Sequence, residues 1–151
     1  MEWWQYLLFS LISVLFGTIL GYILSRRGAS EERKLRERDQ LRSAVRSLLA
    51  EVDANLNIAR LPFQGRLVPF LTNMWDVHRG QILTLPKNLQ AALHEVYVDI
   101  QKANAMVSLD LHRGVNLGEP YNEICGKIVE RTQKTRALLA EWLKQESVEV
   151  E

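Results

Sequence analysis

Cysteine occurs once in the 151 residues, at Cys125, so no intrachain disulfide can form. That excludes a small secreted framework stapled by disulfides and agrees with a reducing cytoplasm. Histidine is nearly as scarce. His78, His94 and His112 stand singly, and without a C-x-x-C or paired histidines no local metal-ligand spacing exists. There is no Gly-rich phosphate loop, no G-x-S-x-G and no H-E-x-x-H, so the common nucleotide, acyl-transfer and metalloprotease motifs are missing. No run alternates apolar and polar residues over a strand's length between turn signals, which argues against a sheet. Internal repeats and low-complexity segments are absent. Basic residues are mixed with acids and lack interleaved aromatics, so no nucleic-acid groove is expected. Glu51 with Asp53, and Glu95 with Asp99, offer paired carboxylates, but exposed helix surface explains both better than general acid–base chemistry. The expectation is a chain without catalytic residues, cofactor or metal, and not an enzyme.

What the chain has instead is an uncharged run of 22 residues, Trp3 to Leu24. As a helix it would be roughly 33 Å long, enough to cross a hydrocarbon core of roughly 30 Å. Trp3, Trp4 and Tyr6 cluster at one end and Tyr22 lies at the other, where amphipathic rings favour the headgroup level. A cleaved signal peptide fits less well: there is no basic n-region, the apolar run is too long, and no A-x-A site follows. Residues 1–27 therefore read as a transmembrane anchor in a lipid bilayer. From Ser25 to Arg46 there are eight Lys or Arg against four Asp or Glu, a net of +4, while the whole chain is +1. The positive-inside tendency then puts the C-terminal domain in the cytoplasm and the N-terminus outside, as in a single-pass inner-membrane protein. Arg26, Arg27, Arg33 and Lys34 are candidate contacts for anionic headgroups. Ser13, Gly17, Gly21 and Ser25 recur every four residues, a small-residue face with a G-x-x-x-G. It suits a packing partner in the membrane, a second copy or another membrane protein.

The remaining residues, about 120, suit one domain of ordinary size, and 47% hydrophobic composition is not that of a disordered chain. Gly28, Ala29 and Ser30 offer a short break with Ser30 as N-cap, and the alternative is a stalk helix continuous with the membrane helix. Residues 28–40 then read as a charged, solvated stalk, with Leu35 its one large apolar side chain. Leu41, Val45, Leu48, Val52, Leu56 and Ala59 recur at three and four and predict a buried helix face, which Pro62 ends. Pro69 is expected to start a short helix to about Arg79, with Gly80 at its C′ position. Leu89, Leu93, Val96, Ile100, Ala103 and Val107 form the cleanest amphipathic stripe, in a helix with Pro86 in its first turn. Leu109 to Glu119, with two glycines, reads as a loop. Pro120 opens the last helix, to about Gln145, where Tyr121, Ile124, Ile128, Thr135, Leu138 and Trp142 recur. Arg131 and Thr135 interrupt that seam, so its middle is less buried or meets a polar layer. Residues 41–146 are thus expected to form an all-α bundle of three long helices and a short one, and 147–151 an acidic tail.

Asn55 and Asn104 lie at or beside apolar stripes on different helices. A buried Asn needs partners and can fix register, so both read as structural. Trp75, with His78 and Arg79, is either a recognition patch or, as the preferred reading, a core Trp plugging the bundle end. Leu48, Glu51 and Asn55, then Trp75, Leu85-Pro86, Leu93, Tyr97 and Asn104, resemble uncharacterised bacterial single-pass membrane proteins with a helical cytoplasmic domain. That resemblance implies a bacterial or phage origin and no activity. The reading is a membrane-tethered helical interaction module, an adaptor or accessory subunit. The alternatives are a membrane-associated enzyme with a site formed between chains, and a small phage or defence membrane protein.

Overall fold

The computed structural model describes residues 3–61, 67–113 and 117–148; within the helices, the side chains of residues 4–9, 11–13, 23–24, 26–30, 113 and 148 lie outside that description. The described residues are all-α: α1 spans Trp3–Ala59, α2 Asn73–Ile82, α3 Lys87–Arg113 and α4 Gly118–Val148. The chain divides into two compact units, Met1–Gln40 and Leu41–Glu151, and α1 contributes to each.

The sequence leaves open whether the anchor and stalk helices are continuous, and α1 is helical through Gly28–Ser30. A single Gly costs about 1 kcal/mol in a helix interior. Ending one helix and starting another leaves about four unpaired backbone groups at each new terminus. Ala29 and the strong helix formers from Glu31 to Arg38 favour continuing. In the first unit, Val14, Leu15, Phe16, Ile19, Leu20 and Tyr22 are all exposed. Thr18 donates its hydroxyl back to the Val14 carbonyl at 2.7 Å. In the stalk, Arg36 pairs with Glu32 at 2.5 Å across one turn. The expected transmembrane helix is not supported by the described residues: no helix among them is long and apolar enough to cross a membrane. The side chains of Leu7, Leu8, Leu11, Ile12, Ile23 and Leu24, much of the apolar content of the uncharged run, lie outside that description.

In the second unit the periodic stripes decide the core. Val45, Leu48, Val52 and Leu56 from α1 are buried, as are all six stripe residues of α3 from Leu89 to Val107, and Tyr121, Ile124, Ile128 and Leu139 from α4. Burying each such aliphatic side chain contributes about 1.5–3 kcal/mol before chain entropy is counted. Ion pairs and polar contacts fix the directions. Arg136 meets Asp53 at 2.7 Å and Arg42 donates to the Glu146 carbonyl at 2.9 Å, so α4 runs antiparallel to α1. Arg131 meets Asp99 at 2.7 Å and Thr135 donates to the Ala92 carbonyl at 3.3 Å, so α4 is antiparallel to α3 as well. Hence α1 and α3 are parallel, and the segment between them must travel back down the bundle.

That return segment differs from expectation at both ends. Pro69 starts no helix: Leu67–Thr72 is non-helical and α2 begins at Asn73, while Gly80 lies inside α2 rather than past its end. α3 continues through Leu109 to Arg113, where a loop was expected. The interrupted seam of α4 is a polar layer. Thr132 and Thr135 are buried there, and Asp99, Lys102, Glu95 and Arg131 form an ion-pair network at its edge. Pro62 to Arg66, expected as a connection, and the tail residues 149–151 lie outside the described residues.

Candidate functional site

A non-helical segment inside a helical bundle carries backbone N–H and C=O groups with no ladder to satisfy them, and burying such groups unpaired is costly. Here side chains from three helices supply the ladder. The Leu71 N–H donates to Asn55 Oδ1 at 2.8 Å and Asn55 Nδ2 donates to the Leu71 carbonyl at 2.8 Å. Phe70 is held the same way by Asn104, N–H to Oδ1 at 2.7 Å and Nδ2 to carbonyl at 3.0 Å. The Tyr121 hydroxyl donates to the Val68 carbonyl and accepts from the Val68 N–H. In a strand-like chain both backbone groups of a residue point to one side, and alternate residues to opposite sides. Residues 68 and 70 therefore face α3 and α4, and residue 71 faces α1. Position 69 shares the α1 side, and a Pro there presents no N–H that would need a partner.

One turn further on, the segment becomes α2. Its N-cap, Thr72, makes no side-chain cap bond. The cap comes from α1: the Glu51 carboxylate accepts from the Met74 N–H at 2.7 Å and the Trp75 N–H at 3.2 Å. These are the second and third residues of α2, where orphan N–H groups and the positive end of the helix dipole favour an anion. The Tyr97 hydroxyl of α3 adds a third donor to Glu51 at 2.6 Å. The Trp75 ring stacks on the Tyr97 ring, centroids 4.4 Å apart and planes 17° from parallel. Burial, and then the Glu51 carboxylate, push the Tyr97 phenol far above its ordinary range, so it stays protonated as a donor. Burial also pushes Tyr121 up to about 12, with Cys125 beside it as a second cause, and raises the Cys125 thiol.

The lower part of the segment is closed by Gln90. Its Nε2 donates to the carbonyls of Leu83 at 3.1 Å and Leu85 at 2.7 Å. Ile82 and Leu85 are buried below, and the Pro86 carbonyl accepts from the N–H groups of Leu89 and Gln90 to start α3. We call Leu67–Leu85 the strap. Its inward residues Leu67, Phe70, Trp75, Ile82 and Leu85 belong to the bundle core. Its outward residues Val68, Leu71, Met74, Val77 and Leu83 are exposed.

The residues singled out from sequence are distributed as follows. Trp75 faces the core and stacks on Tyr97. His78 is half-buried with Nδ1 3.1 Å from Gln81 Oε1, and Arg79 is exposed, so the three do not make one surface patch. Arg33 and Lys34 are exposed, and the side chains of Arg26 and Arg27 lie outside the described residues. A Cβ on Gly17 or Gly21 would meet nothing within 4 Å; Ser25 is exposed, and the Ser13 side chain is outside the described residues. Asn55 and Asn104, read as structural, both bond backbone in the strap. Glu51 and Asp99, read as exposed helix surface, are buried at 5% and 3% exposure. The signal for both was their place at the edge of an apolar stripe, one turn from Leu48 and Val96 respectively. Among the described residues no three His, Cys, Asp or Glu gather in a way that could hold a metal ion. Glu51 carries three protein donors, the Met74 and Trp75 N–H groups and the Tyr97 hydroxyl, and anchors them.

No family model, curated protein or solved structure matches the chain.

Proposed function

We propose that this chain is a membrane-tethered helical interaction module without catalytic activity of its own, an adaptor or accessory subunit in a membrane complex. The observation that carries the reading is the exposure of the first unit. At 3.6 residues per turn, Val14, Leu15, Phe16, Ile19, Leu20 and Tyr22 cover about two-thirds of the helix circumference, and every one of them is exposed. The remaining sector holds Gly17 and Gly21, while Thr18 and Ser25 fall between Val14 and Tyr22. A helix apolar on all sides needs lipid or a protein interior around it. Thr18, the polar residue on that surface, has its hydroxyl bonded within its own helix, which lowers the cost of placing it in lipid. The uncharged run from Trp3 to Leu24 as a whole, followed by the basic Arg26–Arg46 stretch, supports insertion with the second unit in the cytoplasm.

Association is assigned to the small-residue sector, where a second copy or another membrane helix can approach closely. The double substitution Gly17→Ile, Gly21→Ile adds bulk there without making the segment less hydrophobic. Insertion should survive while cross-linking in native membranes is lost. An unchanged cross-linking pattern would remove the packing face from the proposal. Orientation is tested separately with a reporter fused after Glu151 that works only in the periplasm: it should be silent, and activity would overturn the topology.

A further inference from the structure

Three features of the strap set it apart from the helices around it. Its upper half has no regular backbone ladder, and its backbone is held by the side chains of Asn55, Asn104 and Tyr121. Its helical half, α2, is ten residues long, too short to persist in water by itself, and its N-terminal cap belongs to a different helix. Its outward face carries exposed Val68, Leu71, Met74 and Val77, so the strap is packed on one side only. The three long helices do not share these weaknesses. α1, α3 and α4 each satisfy their own backbone, and α4 meets α1 through Asp53–Arg136 and α3 through Asp99–Arg131 and Thr135–Ala92.

We infer that the strap, Leu67–Leu85, opens as one cooperative unit while α1, α3 and α4 stay packed, a lid that covers and uncovers the groove lined by Glu51, Asn55, Tyr97 and Asn104. Opening is cooperative because the anchors interlock. Glu51 holds Met74 and Trp75, Trp75 lies on Tyr97, and Tyr97 donates to Glu51. Losing any one loosens the other two. The ordering entropy regained by the freed chain offsets part of the burial of Leu67, Phe70, Trp75, Ile82 and Leu85, so this unit detaches below the free energy of global unfolding. The inference does not depend on the membrane reading, because every residue in it lies in the second unit.

The test is native-state amide hydrogen exchange on the full chain in mild detergent, followed by mass spectrometry. Peptides covering 67–85 should exchange together, at least roughly tenfold faster than peptides from 45–56, 93–107 and 124–139. Glu51→Gln removes the charge on the shared acceptor and should speed the strap roughly 10- to 100-fold, the worth of a charged hydrogen bond, leaving the three helices unchanged. If wild-type strap peptides exchange at the rate of the long helices, the strap is part of one global unit and the lid is wrong. If Glu51→Gln speeds all regions alike, the same conclusion follows.

Discussion

Asn55 is fully buried and gives both halves of its amide to a single backbone residue, Leu71. Asn55→Ala strands a donor and an acceptor at once and should cost about 2 kcal/mol or more. Asn55→Asp keeps one acceptor but turns a buried carboxylate oxygen towards the Leu71 carbonyl, so at neutral pH its cost should be at least as large. Urea denaturation midpoints rank the three proteins, and equal midpoints for wild type and Asn55→Ala would show that the amide pair contributes nothing. Tyrosine chemistry yields a pH dependence. Tyr97 and Tyr121 both ionise less readily in the folded protein than in the unfolded chain, Tyr121 at about 12. The unfolded chain therefore loses these protons first, near the ordinary tyrosine value of about 10. Their contribution to stability is full below that value and falls as pH rises from about 10 towards 12. In Tyr97→Phe and Tyr121→Phe the alkaline fall should be shallower. An identical slope in the doubly substituted protein would mean that other groups cause it.

At the scale of elements, the strap explains why its two faces should respond differently to substitution. Trp75 is buried against Tyr97, and truncation to Ala should cost about 3–5 kcal/mol, the range for large aromatic side chains in a core. Val77, about half a turn away on the outward face, is 71% exposed, and Val77→Ser should change stability by less than about 0.5 kcal/mol. Thermal melts of the two variants distinguish these outcomes. A large loss from Val77→Ser would mean that the outward face is covered in the folded protein. The polar layer of α4 follows similar logic: Arg131 answers a nearly buried Asp99, and removing a partner from a buried charge is more damaging than the pair's own attraction suggests.

For the molecule as a whole, the division at residue 40 separates two solvation problems. All buried residues of the core cluster, from Val45 to Leu139, lie in the second unit. A chain beginning at Gln40 keeps every one of them and should fold alone. Its far-ultraviolet circular dichroism should be helical and its urea midpoint close to that of the full protein. A disordered spectrum would show that the bundle requires the first unit or a partner. Among the described side chains of the first unit up to Gln40 none is buried, and their exposed apolar surface is what ties it to lipid in the proposed function.

The helical class and the core stripes were legible from sequence because periodicity is a local property. Leu89, Leu93, Val96, Ile100, Ala103 and Val107 recur at helical spacing, and all six are buried. Which polar groups go inside was legible only in part. Asn55 and Asn104 stood out beside apolar stripes, but Glu51 and Asp99 looked like ordinary surface carboxylates, because charge favours water unless a partner is at hand. Those partners come from other helices, and no local rule names them. Pro69 shows the same limit. Proline in a first turn is a sound local signal, yet a strand-like backbone prevails here. Leu71, Phe70 and Val68 are bonded by side chains 16, 34 and 53 residues away in the chain. Amphipathic pattern determined which faces are buried. The tertiary structure alone decided what happens to the backbone between them, since a non-helical segment can be buried only where the rest of the fold brings donors and acceptors to it.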